Sequence, residues 1–187
     1  NFVNQQGGSG RNDRSSNALV FRGLYLASNI GLNAGGSLFI DGAPVASPSA
    51  VAVVTDPARI EILKGPQSAY FGRNTFAGAV NVVNKMPGKD LGGSVTLMGG
   101  TRNNMDFTGS VDGPLFSCNA GFRLGVHYMN KDGSYKNQAN LSQTLGDQET
   151  KTVTLMLTAE PTDNFTAKLF TMFSKDDDGP STQGQLS

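Results

Sequence analysis

The sequence predicts two structures in series. Residues 1–90 read as a small α+β region, and residues 91–187 as the first antiparallel strands of a membrane-spanning β-barrel. Three observations lead there. The hydropathy pattern changes near Leu91 from short irregular apolar runs to strict alternation over five segments. The connections between those segments differ in length from one end to the other. Finally, 24 glycines in 187 residues, with abundant Ser, Thr and Asn, favour strands joined by turns over helices.

In the first region the opening NFVNQQGGSGRNDRSS is polar and reads as a loop or frayed end. ALVFRGLYL and SLFIDGAPV are short apolar runs, the second carrying an Asp41-Gly42 turn signal. Asp56-Pro57 suits one helical turn, with Asp as cap and Pro at the first helical position. Arg59 to Lys64 alternates as a strand, and Gly65-Pro66 ends it. A short helix follows from Gln67 to Phe71, with Gly72 as its left-handed cap. Ala77-Gly78-Ala79 leads into a last strand, Val80 to Val83, whose small leading residues let another backbone approach closely.

In the second region the alternation is regular. Val95 and Leu97 oppose Ser94 and Thr96; Met105, Phe107 and Val111 oppose Asp106, Thr108, Ser110 and Asp112. Phe122, Leu124, Val126 and Tyr128 oppose Arg123 and His127, and Val153, Leu155 and Leu157 oppose a row of threonines. Phe165, Ala167, Leu169 and Phe173 oppose Thr166, Lys168 and Ser174. Strands of about nine to eleven residues match what a tilted strand needs to cross a bilayer; strands of soluble sandwiches are nearer five or six. Gly113-Pro114 and Pro161-Thr162-Asp163 read as tight turns. Lys131 to Gln148 and the run beginning Lys175-Asp176-Asp177-Asp178 read as long polar loops. Short turns at one end and longer loops at the other are the habit of outer-membrane barrels, with Thr101-Arg102-Asn103 the one short exception.

Composition closes several alternatives. Net charge is zero and no basic block exists, so nucleic acid is not an expected partner. The single cysteine, Cys118, allows no intrachain disulfide and has no charged activator beside it. No apolar run is long enough for a helical span, which does not bear on a barrel. No nucleophile, acid and base converge, so no enzyme is expected. Asn1 is not an initiator and only five barrel-type strands are present, so the sequence is expected to be a fragment.

With that frame in place, RIEILKGPQSAYFGRNTFAGAVNVVNK, Arg59 to Lys85, resembles the plug motif of TonB-dependent outer-membrane receptors. In that family a strand-turn-helix of the form RIEVLRGPQS-LYG is followed by GA-GG-INIITK. Phe21-Arg22-Gly23 is similar to the family's RG element, and Leu38-Phe39-Ile40-Asp41-Gly42 to its LIDG. The likeness runs from about residue 15 to 175. It departs at Gly78-Ala79-Val80, where many members have a second Gly, and it lacks the energy-coupling box and the plug's first part. The resemblance implies a plug inside a 22-stranded barrel, in the outer membrane of a Gram-negative bacterium. It implies uptake of a scarce small-molecule cargo, most often a ferric siderophore, through plug rearrangement driven by the TonB energy-coupling protein. The alternative is a stand-alone plug-like binding or cargo-sensing module.

The resemblance also proposes site residues. Gly65, Pro66, Gly72 and Gly78 are the backbone positions of the plug motif. Arg22, Arg59, Glu61 and Lys64 are candidate charges locking plug to barrel, against the plainer reading of solvated strand charges, whose exposed pairs contribute about 0–1 kcal/mol. Asn29, Gly31, Asn33, Ser47 and Ser49 fall in loops that the resemblance places at the cargo-facing apex, although surface loops are polar in any case. Tyr70 reads as packing, and Arg73 and Asn74 as a turn. His127 has no carboxylate near it in sequence and makes a poor metal site; Asp176-Asp177-Asp178 reads as a solvated run. No cofactor or resident metal is expected.

Overall fold

A computed structural model describes residues 2–4, 17–19, 36–45, 54, 56–71, 75, 77–115, 117–137, 140–162 and 164–180. The chain divides into two compact units, Asn1–Lys85 and Met86–Ser187.

In the first unit, β1 (Phe2–Asn4) pairs antiparallel with β2 (Asn17–Leu19). A second sheet contains β3 (Gly36–Ile40), β4 (Ala43–Pro44), β5 (Pro57–Lys64) and β6 (Gly78–Asn84), in the order β4-β3-β6-β5. A one-turn helix, α1 (Ser68–Phe71), lies between β5 and β6. The central pair, β3 and β6, runs parallel with Gly36 opposite Gly78 and Ser37 opposite Ala79. Small residues at these rungs fit the close backbone approach expected of them. Leu38, Phe39, Ile40, Ala77, Ala79, Val80 and Val82 are buried here and form the unit's core.

Asp41-Gly42 makes the predicted two-residue turn. Both residues have positive φ, 50° and 81°, as a type I′ hairpin requires, with Ile40 opposite Ala43. The turn is tied to β6 as well. Asp41 accepts from the Asn84 backbone N–H and side-chain amide at 2.9 and 2.7 Å. The Gly42 N–H donates to the Asn81 side chain at 3.0 Å.

The helical turn expected at Asp56-Pro57 is not formed. Pro57 opens β5 instead, opposite Asn84. β5 is an edge strand, where a first-position proline forfeits no needed ladder bond. Asp56 takes a positive φ of 53° and pairs with Lys85 at 3.8 Å.

The second unit is a five-stranded antiparallel meander. Its strands are β7 (Gly92–Gly100), β8 (Asn104–Leu115), β9 (Ser117–Lys131), β12 (Gln148–Thr162) and β13 (Phe165–Asp178). Between β9 and β12 a hairpin of β10 (Tyr135–Asn137) and β11 (Asn140–Leu145) occupies the stretch read as a loop. Three other expectations change with it. Gly113 and Pro114 lie inside β8, Pro161 and Thr162 end β12, and Asp176 to Asp178 extend β13. All three follow from strands longer than a bilayer needs: β9 and β12 have 15 residues each, and they keep pairing where polarity alone suggests loop. Asp147 stitches the hairpin end together, accepting from the Gly133 N–H at 2.7 Å and from the Thr144 hydroxyl.

Candidate functional site

Pairing register places the alternating residues of all five long strands on two opposite faces. One face carries Val95 and Leu97 of β7, Phe107 and Val111 of β8, and Phe122, Leu124 and Val126 of β9. Val153, Leu155 and Leu157 of β12 and Leu169 and Phe173 of β13 complete it. Much of it is bare: Leu97 and Phe173 are 72% and 73% exposed. Each such side chain gains about 1.5–3 kcal/mol on leaving water. Summed over the exposed part of the face, that is comparable with the net stability of a typical domain, about 5–15 kcal/mol. This face therefore requires an apolar surrounding. At one end it is rimmed by Tyr128 and by Lys151, whose ammonium lies 5.8 Å from the Tyr128 ring centre and 2.7 Å from Glu149. An aromatic ring beside a charged group suits a boundary between apolar medium and water.

The other face is richer in polar residues, bonded across the strands, with Met98, Met156, Phe170 and Met172 among them and Met156 buried. Ser94 and Ser110 hydroxyls lie 2.9 Å apart, Thr152 and Ser174 hydroxyls 3.0 Å, and Thr150 donates to Asp176 at 2.8 Å. His127 Nε2 lies 3.2 Å from Asp106, an acidic partner supplied by register rather than by sequence. Its other ring nitrogen, Nδ1, is buried with no hydrogen-bond partner among the described residues. The most enclosed charges are Asp112 and Arg123, an ion pair with side chains 12% and 9% exposed. Arg123 also donates to Ser110 at 3.1 Å.

Asp112 and Arg123 were not singled out in the sequence. A signal was available: two opposite charges on the same polar face of consecutive strands, flanking a short turn. Buried charges of that kind are costly unless paired, so a matched pair is expected where both are enclosed.

Two of the candidate locking charges, Arg59 and Glu61, have local partners. Arg59 Nε donates to Glu61 at 2.7 Å, and both side chains are partly exposed. Asn81, directly opposite Glu61 on β6, donates to its other oxygen at 2.9 Å. The Asn81 amide first, and the Arg59 guanidinium second, hold the Glu61 carboxyl below its ordinary value of 4.5. Lys64 is exposed at the end of β5.

Gly65 has φ of 95°, the left-handed conformation that needs glycine. The excursion through Pro66 and α1 is closed by two backbone bonds, Gly65 N–H to Ala77 at 3.0 Å and Gln67 N–H to Thr75 at 2.8 Å. Gly78 then opens β6, opposite Lys64 and Gly36. Arg22, Asn29, Gly31, Asn33, Ser47, Ser49, Gly72, Arg73 and Asn74 lie outside the described residues. Among the described residues no three His, Cys, Asp or Glu side chains gather as a metal site.

A two-faced sheet of long strands, apolar on one face and largely polar on the other, preceded in the chain by a small unit with a parallel central strand pair, defines a class that comparison makes specific. No protein-family model matches the chain. The chain is nevertheless related in sequence, and alike in fold, to TonB-dependent siderophore receptors, and the resemblance carried by Arg59 to Lys85 is borne out.

The pesticin receptor of Yersinia pestis is 26% identical over 164 residues, 82% of this chain and 24% of that protein. The ferrioxamine B receptor of Salmonella typhimurium is 32% identical over 119 residues, 61% of this chain and 16% of that protein. Among solved structures, the ferric yersiniabactin uptake receptor FyuA from Yersinia pestis superposes with a TM-score of 0.74 at 22% identity, covering 88% of this chain and 26% of FyuA. The pyoverdine outer-membrane receptor FpvA from Pseudomonas aeruginosa, bound to pyoverdine, gives 0.66 at 19% identity, covering 88% of this chain and 23% of FpvA. The chain thus spans about a quarter or less of the curated relatives it matches.

Proposed function

We propose that this chain is the plug-bearing part of a TonB-dependent outer-membrane receptor for energised uptake of a ferric siderophore. In this reading the first unit is the plug. β7, β8, β9, β12 and β13 are the first strands of a 22-stranded barrel whose lumen the plug fills, in the outer membrane of a Gram-negative bacterium. The observation that carries it is the bare apolar face of the five long strands, backed by a polar, hydrogen-bonded face. Lipid covers the first face and the wet lumen meets the second, the arrangement of transmembrane barrels. The β10–β11 hairpin marks the outer end, and the tight turns after β8 and β12 face the periplasm. Arg59, Glu61 and Lys64 act with Arg22 as a group of charges steadying the plug, and the loops carrying Asn29, Gly31, Asn33, Ser47 and Ser49 meet the cargo.

The mechanism is binding followed by rearrangement, with no covalent step. Cargo docks from outside, and the TonB protein pulls on the plug to open a path. The siderophore class follows from relatives whose names speak of ferrioxamine B, ferric yersiniabactin and pyoverdine. The test is growth and iron uptake of a deletion strain given single ferric chelates under iron starvation. Loss of uptake for one chelate, restored by the gene, is expected. Unchanged uptake of every chelate overturns the reading. The native protein in outer-membrane fractions is expected to have a mass on the order of 80 kDa, as a plugged barrel of this size requires.

A further inference from the structure

Residues Met86 to Asp90 precede β7 and belong to the second unit. They lie as a strap on the polar face of its sheet. The Gly88 N–H donates to Asp112 Oδ2 at 2.8 Å, while Arg123 holds Asp112 Oδ1. Pro87 sits over Gly121 of β9, where an added Cβ would stand 2.9 Å from the Pro87 side chain. A Cβ on Gly88 would itself stand 3.0 Å from Asp112 Oδ2. Two glycines therefore clear the space that brings the strap down onto a buried ion pair. Both Asp112 oxygens are engaged, and Arg123 is braced by Ser110, which in turn meets Ser94 of β7.

Register makes the location telling. Asp112 is opposite Gly92, the first rung of the β7–β8 ladder. β7 follows directly on the strap and pairs with β8 along its whole length. A pull arriving along the chain from the first unit would load that rung first and unzip the ladder one pair at a time. The Gly88–Asp112 bond stands one step ahead of it.

We infer that Asp112 and Arg123 are positioning residues, a clamp that holds the Met86–Asp90 strap so that force on the first unit ends at Gly88 instead of peeling β7 from β8. The role rests on the plug reading above. It also accounts for a buried ion pair, which is weak evidence for stability by itself because desolvation offsets the attraction. Removing one partner strands a buried charge, whereas replacing both with apolar residues of similar size is close to neutral. D112L/R123M is therefore the informative variant.

The test is hydrogen exchange on the full receptor in membranes, resting and with the energy-coupling protein active, alongside cargo binding and uptake. In resting D112L/R123M the Gly88 amide is expected to exchange about ten-fold faster, as loss of a charge-assisted bond implies, with β7, β8 and β9 amides and cargo Kd unchanged. On energisation the β7 amides lose protection in the variant only, and uptake falls. If D112L/R123M fails to accumulate, D112R/R123D keeps an ion pair but removes the carboxylate beneath Gly88, and the same pattern is expected. Unchanged Gly88 exchange, or β7 amides that stay protected under energisation, overturns the clamp. Absence of uptake of any ferric chelate by the wild type overturns the transport reading instead, and leaves Gly88 exchange to decide whether the strap is tied.

Discussion

The two units treat apolar residues in opposite ways. In the first, Leu38, Val80 and Val82 are buried against each other's strands. In the second, Leu97, Leu124, Val153 and Phe173 are exposed on one face of the sheet, and the other face carries the buried Asp112, Arg123, Thr150 and Thr152 together with Met156. One unit solves the solvent problem with a core; the other leaves it to the surroundings. The same leucine therefore means different things at positions 38 and 124.

The sharpest way to break this comparison is to truncate both. Leu38→Ala leaves a cavity in the core and should cost about 2–5 kcal/mol, read as lost exchange protection across β3 and β6. Leu124→Ala should cost far less if, as proposed, lipid covers that face and refills the space. Equal costs would mean that the β9 face packs against protein. Reversing the chemistry reverses the ranking of faces. Leu124→Arg should cost about 2–4 kcal/mol if that face lies near the bilayer midplane, seen as loss of heat-resistant barrel from membranes. Thr154→Arg, on the polar face of β12, should be tolerated.

A smaller effect is expected at the Asp-Gly turn. Asp41→Ala removes the two acceptors that fasten it to Asn84 and should cost about 1–3 kcal/mol, measured on the Asn84 amide.

The smallest concerns Glu61. Its carboxyl titrates below the ordinary 4.5, so its contribution to the first unit is full above that value and is lost as pH falls through the depressed one. Asn81→Ala should move the titration of Glu61 up toward 4.5, followed by carboxyl NMR shifts. No movement would assign the shift to Arg59 alone.

Much of the architecture was legible because period-two alternation states which residues share a face. The five strands from β7 onward were read this way, and the Asp41-Gly42 turn and the break at Gly65-Pro66 from their turn residues. Misreadings clustered where polarity stood in for pairing. Asp176 to Asp178 and the β10–β11 residues are hydrophilic yet hydrogen-bonded in strands, and Pro57 starts an edge strand where a helix cap was expected. The charges singled out at Arg59 and Glu61 pair with each other, while the enclosed pair, Asp112 and Arg123, went unnoticed.

What the sequence determined by itself is face and order: alternation, turn residues and the plug-type motif depend on neighbours along the chain. What tertiary structure alone decided is partnership. Asp112 meets Arg123, His127 meets Asp106 and Gly88 meets Asp112 because register sets which rungs face one another and a strap folds back over them. Those meetings depend on distances across strands, and no local pattern in the chain encodes a distance between residues that only folding brings together.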